Sequence, residues 1–427
     1  MVEFYRETEF KETEIGRIPT EWRVVKLGDV AKNVMGGTPS TKIAEYWENG
    51  DIVWVTATDI NDEDVYIFDS QKKITKLGLE NSNAKLVPRG AVLMVTTASV
   101  GKLAIAGKEL AINQQITALI PFADKILSEF LYYALRYHRR RYIRSGGRTT
   151  AIHINQRMVR NFCVPLPPLE EQELIAGILS SMDEAIRAVD ASIAEYERLK
   201  RGLMQELLTK GIGHKEFKEE AEIGRIPASW EAVRLGKVAS IVHGFAFPLK
   251  FQGKKNGKYP FIKVSDMNLP GNEKYVTKAE NTVDDEDLSQ LRARVYPPGT
   301  IIFPKIGMVI RLNKKRILGV HATFDNNVMG VIPKGENVDS EFLYYYFLGK
   351  IDLWHFAQTT TTPSIKKSTI ERIYIPLPPL EEQKRIAEIL SSVDAVLEEK
   401  RRKKAKLERM KKAVMDLLLT GKVRVRA

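Results

Sequence analysis

Apolar residues recur at spacings of three and four in two long stretches of the chain. In the first they fall at Ile175, Ile178, Met182, Ala185, Val189, Tyr196, Leu199 and Leu203, with Leu179, Ile186, Ile193 and Leu207 widening the stripe. In the second they fall at Ile386, Ile389, Val393, Val396, Leu407, Met410, Val414 and Leu417, with Lys400 and Lys403 in the middle. A stripe held for about five heptads predicts a long helix packed on another helix. The expected spans, 170–209 and 381–420, make rods of roughly 60 Å at ~1.5 Å per residue. Neither rod is stable alone in water, and each is the other's nearest candidate partner. The remaining apolar runs are short and bounded by Gly, Pro, Asn and Asp, which predicts strands over 51–56, 90–95, 111–121, 259–264, 300–303 and 327–333. Amphipathic helices are expected from Ser128 and from Ser340.

Both long helices open on the same eight letters, Pro165-Leu-Pro-Pro-Leu-Glu-Glu-Gln172 and Pro376-Leu-Pro-Pro-Leu-Glu-Glu-Gln383. The prolines force an extended entry, the paired glutamates suit the positive helix start, and Gly211 and Gly421 stand where helix ends are expected. A second block is doubled too: Ile15-Gly-Arg-Ile-Pro19 with Trp22, and Ile223-Gly-Arg-Ile-Pro227 with Trp230. The chain is therefore a tandem duplication with a period of about two hundred residues, far longer than a solenoid unit. The expected architecture is α+β: a mixed globular domain over 1–164, a helix over 165–212, a second globular domain over 213–375 and a second helix over 376–427. Antiparallel pairing of the helices would place one globular domain at each end, with approximate twofold symmetry.

Charge adds a partner class. The chain has 66 Lys and Arg against 54 Asp and Glu, a net +12, which favours a polyanionic ligand such as nucleic acid. Its hydrophobic fraction of 44% is that of a folded protein rather than a disordered one. The single cysteine, Cys163, reads as a small buried apolar residue in a reducing compartment. With no leader-like start and no run of ~18 apolar residues, a cytoplasmic chain that does not engage a membrane is expected.

Catalytic signatures are missing. The sequence has no phosphate loop, no Asn-Pro-Pro-aromatic methyltransferase motif and no metal-ligand spacing among its six histidines. Glu9-Phe-Lys11 and Glu216-Phe-Lys218 match the end of some nuclease motifs, but no placed aspartate completes them. Binding chemistry is plentiful instead. Arg140, Arg144 and Arg148 flank Gly146-Gly147, with Thr149 and Thr150 behind, a set suited to phosphates and base edges. Gly36-Gly37-Thr38 and Asn113-Gln114-Gln115 are further candidates in the first half. Those of the second half are Lys263, Ser265, Lys305, Arg311, Asn326, Asn327, Thr360, Thr361, Ser364 and Lys366. The arginine cluster has an alternative reading as the solvated face of a helix. The doubled blocks match closely while the globular interiors match only in pattern. Two similar scaffolds with unlike readers fit recognition of two unlike half-sites.

The doubled Gly-Arg-Ile-Pro and Trp block, Gly36-Gly-Thr-Pro-Ser40, Asn113-Gln-Gln115 and both octets with Ile-Leu-Ser-Ser after them closely resemble the specificity subunits of type I restriction-modification systems. The resemblance spans essentially the whole chain. It implies two target recognition domains on double-stranded DNA, each reading half of a split asymmetric site. It also implies two helices in an antiparallel coiled coil that set the gap and dock two methyltransferase subunits, with restriction subunits joining in the full complex. The implied chain is non-catalytic and holds no cofactor, S-adenosylmethionine, ATP and Mg2+ belonging to its partners. The second half departs from the motif, with Gly244-Phe-Ala-Phe-Pro248 where Gly-Gly-Thr-Pro is expected. Two other classes remain open at this point: a self-sufficient DNA methyltransferase or nuclease, and a coiled-coil adaptor that binds only proteins.

Overall fold

The two heptad stripes form helices Leu169–Lys210 and Leu380–Leu419, each within one residue of the predicted ends. Both stop at a glycine in the left-handed region, Gly211 at φ +68° and Gly421 at φ +66°. This computed structural model describes residues 3–62, 64–145, 153–358 and 361–426. The chain divides into two compact units, 1–190 with 402–427 and 191–401, so each unit takes half of each long helix.

In the first unit a five-stranded sheet runs in the order Ala31–Met35, Ile116–Pro121, Val92–Val95, Leu103–Ala106, Tyr66–Ile67. Its neighbours are antiparallel except for the last, parallel pair. A smaller sheet orders Lys73–Ile74, Ile52–Val55, Leu110–Ile112 and Lys85–Val87. The second unit repeats the larger sheet in the same order, as Ala239–His243, Val328–Pro333, Ile301–Pro304, Arg316–Leu318, Tyr275–Val276. Its smaller sheet has three strands, Asn281–Val283, Tyr259–Ile262 and Thr323–Phe324. The predicted run 111–121 is two strands rather than one. Asn113 interrupts it, because its side-chain Oδ1 accepts the Gln115 N–H at 3.0 Å and its carbonyl accepts that of Ile116 at 3.2 Å.

Helices Ser128–Tyr137 and Ser340–Lys350 are the ones expected. They bury Phe130, Tyr132 and Tyr133 in one unit and Phe342, Tyr345 and Phe347 in the other. Each core also receives the start of one long helix and the end of the other. Ile175 and Leu179 join Leu418 and Leu419 in the first, and Ile386 and Leu390 join Leu207 and Leu208 in the second. Within each unit the two helix halves therefore run antiparallel. A buried polar set marks their register. The Tyr133 hydroxyl donates to Asp183 Oδ2 at 2.8 Å while Lys411 pairs with the other oxygen. In the second unit Tyr345 donates to Asp394 at 2.6 Å and Lys200 takes Lys411's place. The lysine predicted to interrupt the second stripe, Lys400, lies over the Tyr196 ring at 4.9 Å. Leu199, Met410 and Leu417, read as stripe residues, are exposed.

The repeated letters meet one another in space. Trp22 is fully buried and its Nε1–H donates to Glu171 Oε2 at 3.0 Å; Trp230 does the same to Glu382 Oε2 at 3.0 Å. The last residue of each octet is fully buried as well. Gln172 accepts the Leu127 N–H at 3.0 Å and donates to the carbonyls of Lys125 and Pro167 at 3.0 and 2.9 Å. Gln383 repeats this with Asp339, Asn337 and Pro378 at 2.9, 3.0 and 2.8 Å. The glutamate's other oxygen binds the chain just beyond a long helix. In the second unit these partners are the Ile212 N–H and His214. In the first, the buried Arg424 grips Glu171 with two hydrogen bonds of 2.7 and 2.9 Å and also reaches Glu7. There the chain's own termini pair, Glu3–Arg6 against Val423–Arg426. Removing one partner of such a buried ion pair leaves an uncompensated charge, which costs ~3–5 kcal/mol.

His138 caps helix Ser128–Tyr137 with its Nε2 buried and without a hydrogen-bond partner. Burial, aided by the nearby Arg141 charge, holds its pKa at about 4 instead of 6.5. The folded chain thus keeps this imidazole neutral while the unfolded chain protonates it below pH 6.5, so stability is full above 6.5 and is lost as pH falls toward 4. The loss should total ~3 kcal/mol. We expect His138→Phe to reduce the slope of unfolding free energy against pH in that window by about one proton's worth, measured by urea denaturation at a series of pH values.

Candidate nucleic-acid interface

Three stretches distant in sequence meet on one face of the first unit. The Gly36 N–H bonds the Ile116 carbonyl at 3.4 Å and the Gly37 N–H that of Ile112 at 3.0 Å, which lays the end of strand Ala31–Met35 along the Asn113–Gln115 turn. The Thr38 hydroxyl donates to Gln114 Oε1. The Thr96 N–H bonds the Gln115 carbonyl at 2.8 Å, and the Thr96 carbonyl accepts the Ile154 N–H at 2.9 Å. The result is a shallow depression lined by Met35, Thr96, Gln114, His153, Gln156 and Arg157. Gln114 is exposed and Met35 is 54% exposed, so both point their chemistry outward.

The second unit builds the same cradle from other letters. The Gly244 N–H bonds the Val328 carbonyl at 3.3 Å and the Phe245 N–H that of Phe324 at 2.9 Å. Asp325 takes the turn position of Asn113, its Oδ1 accepting the Asn327 N–H at 3.0 Å. The Lys305 N–H bonds the Asn327 carbonyl at 2.8 Å, and the Lys305 carbonyl accepts the Ile365 N–H at 2.9 Å. Gly244-Phe-Ala therefore occupies the place of Gly36-Gly-Thr even though the motif differs. Gly36 and Gly244 have one reason in common. A Cβ on Gly36 would stand 2.0 Å from the Ile112 carbonyl oxygen, and one on Gly244 would stand 1.8 Å from that of Asp325.

The candidates sort by these contacts. Gly36, Gly37 and Asn113 are buried and shape the cradle, whereas Thr38 is half-buried, Gln115 half-buried and Gln114 exposed. Asn326 is the exposed counterpart of Gln114, and Asn327 is held by Asp325. Ser364 forms an antiparallel bridge with Gln358, and Thr361 and Lys366 are exposed. Arg140 and Arg144 are exposed on helix Arg139–Ser145, which leads into 146–152 and re-enters the cradle at His153. Other arginines of that cluster are occupied: Arg139 pairs with Asp62 at 2.8 Å, and Arg141 donates to the Glu14 carbonyl at 2.9 Å. Lys263 donates to Gln252 at 2.6 Å, Ser265 is exposed, and Arg311 lies over the Trp354 ring at 4.3 Å. Gly146, Gly147, Arg148, Thr149, Thr150 and Thr360 lie outside the described residues.

Sequence reading missed Met35, Thr96 and His243. The signal for two of them was their place directly before the cradle glycine, at a strand end. His243 Nδ1 lies 3.2 Å from Lys305 Nζ. Partial burial and the charges of Lys305 and Lys367 hold its pKa below the ordinary imidazole value. Burial likewise lowers that of Lys305 and raises that of Asp325. Cys163 is buried, and its thiol is pushed up to about 11 by that burial. Among the described residues no group of three or more His, Cys, Asp or Glu could hold a metal, and no helix is long and apolar enough to cross a membrane.

The type I restriction modification DNA specificity domain matches residues 19–198 and again 227–409, the two copies seen in the sequence. Two relatives from Methanocaldococcus jannaschii align over all of this chain. The MjaX specificity subunit, provisionally so named, is 34% identical with 99% of its length covered. The type I restriction enzyme MjaVIII specificity subunit is 32% identical with 98% covered. In fold, the chain is similar to the crystal structure of a type I restriction-modification S subunit from M. genitalium, with a TM-score of 0.60 at 15% identity over 93% of this chain and 96% of that one. The chain belongs to the family of type I restriction-modification DNA specificity proteins. Its part in such a system is sequence recognition and not catalysis.

The close approach at the cradle gives a direct check. We expect Gly244→Ala to destabilise the chain by ~1–3 kcal/mol through overpacking against the Asp325 carbonyl. Ser240→Ala, on the strand that leads into Gly244, should change stability by no more than about 0.5 kcal/mol. Thermal unfolding of the two variants measures the difference.

Proposed function

We propose that each cradle reads one half of a bipartite, asymmetric DNA site and that the paired long helices set the gap between halves. The carrying observation is the pair of cradles with equivalent backbone hydrogen bonds and different side chains: exposed Gln114 and Met35 with a buried Thr96 in one, exposed Asn326 and His243 with a half-buried Lys305 in the other. Equivalent readers would fit a palindrome; unlike ones fit two different sequences. Arg140 and Arg144, on the helix before the first cradle, and Lys366, just after the second, supply phosphate contacts, and Arg148, Thr149, Thr150, Thr360 and Thr361 are assigned the same role from their chemistry in the sequence.

The exposed apolar residues of the long helices, Leu199, Met410 and Leu417, suit docking of two methyltransferase subunits, with restriction subunits completing the assembly. S-adenosylmethionine, ATP and Mg2+ then belong to those partners, in keeping with a sequence that lacks their motifs. A complex of this kind works in the cytoplasm, where the chromosome is. One turn of helix is ~5.4 Å and one base pair ~3.4 Å of duplex axis, so helix length can set the gap to within a base pair or two.

Methylated bases mapped across the genome of the source cell test this reading, with the gene present and deleted. Deletion should remove one bipartite motif with two unlike halves. Loss of a palindromic motif, or no change in methylation, would overturn it.

A further inference from the structure

The two cradles can be compared position by position, because the same backbone hydrogen bonds recur in both. Thr96 and Lys305 each donate their N–H to the third residue of the turn and accept the N–H of the isoleucine after the loop, Ile154 or Ile365. Met35 and His243 are the last residues of equivalent strands, directly before the cradle glycine. Gln114 and Asn326 are the exposed middle residues of equivalent turns. After the loop, Asn155 and Gln156 of the first unit stand where Lys366 and Lys367 stand in the second. One scaffold thus carries three amides, a thioether and a buried hydroxyl on one copy, and an amide, an imidazole and three ammonium groups on the other.

Beside the Asn326 amide, the groups that distinguish the second copy are one-sided donors. A lysine ammonium offers three donors and no acceptor. His243 Nδ1 lies 3.2 Å from Lys305 Nζ, and because an ammonium can only donate, Nδ1 is assigned as the acceptor, which puts the ring proton on Nε2 of this exposed side chain as a further donor. Burial disfavours the Lys305 charge, so an acceptor that approaches it is favoured over leaving it half-desolvated. In the major groove only guanine presents two acceptors, N7 and O6, with neither a donor nor a methyl group between them. The first copy has the opposite bias. Gln114 can pair both ways with adenine N6 and N7, and the exposed Met35 beside it offers an apolar surface to a thymine methyl.

We propose that Lys305 and His243 read a guanine in the half-site of the second unit, at the place where Met35 and Gln114 of the first unit read an A·T pair. This rests on the proposed half-site reading. The same donors could instead serve a phosphate, which carries acceptors but no sequence, and the test separates the two.

The chain is co-expressed with the methyltransferase subunits of its own system in a host without other methylation, and the methylated sites are sequenced. Lys305→Thr installs the residue that the first cradle carries at this place. It should relax one guanine position in one half-site, lowering the preference for G there by about tenfold, and leave the other half-site unchanged. His243→Met, at an exposed position where folding is not at stake, should relax the same position, and Lys305→Arg should keep it. An unchanged motif methylated more weakly at every site would assign Lys305 to a phosphate and overturn the proposal, as would relaxation at a position that is not guanine. If the unaltered chain specifies no bipartite motif, the half-site reading itself fails. If it does specify one and Lys305→Thr leaves it intact, only this inference fails.

Discussion

The fold depends on a carboxylate enclosed at the start of each long helix, buried at Glu171 and half-buried at Glu382. Glu171 and Glu382 are taken out of water by their surroundings, and each is repaid by an indole N–H from the Gly-Arg-Ile-Pro block and by groups just past the end of a long helix. The cost of leaving such a carboxylate unpaired is large enough to tie three distant stretches together. Within each unit it fastens the entry of one helix, the exit of the other and the hairpin that precedes the sheet. The neighbouring glutamines complete the fastening by holding the loop before helix Ser128–Tyr137 or Ser340–Lys350.

This constraint separates two kinds of residue. Those that make the fastening are the same letters in both copies, because a buried carboxylate, an indole and a primary amide have few substitutes with matching donors and acceptors. Where a substitute exists it is used: Arg424 in one unit stands where His214 stands in the other, and both bind the glutamate. Residues that point outward from the cradles carry no such burden. They differ between the copies, and the difference is what recognition of two unlike sequences requires.

Much of this was legible beforehand. The long helices, their glycine ends and the helices from Ser128 and Ser340 follow from periodicity and helix-end chemistry, which are local. The doubling of the octet and of Trp22 and Trp230 was visible too, but not that the two blocks bind each other, since a hydrogen bond across some 150 residues leaves no local trace. The strand break at Asn113 was hidden because its cause is a side chain capping its own backbone. The equivalence of Gly244 with Gly36 was hidden by the loss of the Gly-Gly-Thr-Pro letters. It is set by a carbonyl oxygen within 2.0 Å of where either Cβ would lie, a constraint on space and not on motif. Gly36, Gly37 and Asn113 were singled out with reason, yet their burial makes them the frame around Gln114 and not its peers.

The central claim is that identity of scaffold and difference of readers produce an asymmetric site. The most direct measurement replaces residues 228–375 with a second copy of residues 20–164, joined between the matching prolines Pro19 and Pro227 and the matching octets, and maps the sites methylated in the presence of the partner subunits. The account predicts an inverted repeat of a single half-site across the original gap. Retention of the original asymmetric target by that chain would contradict it.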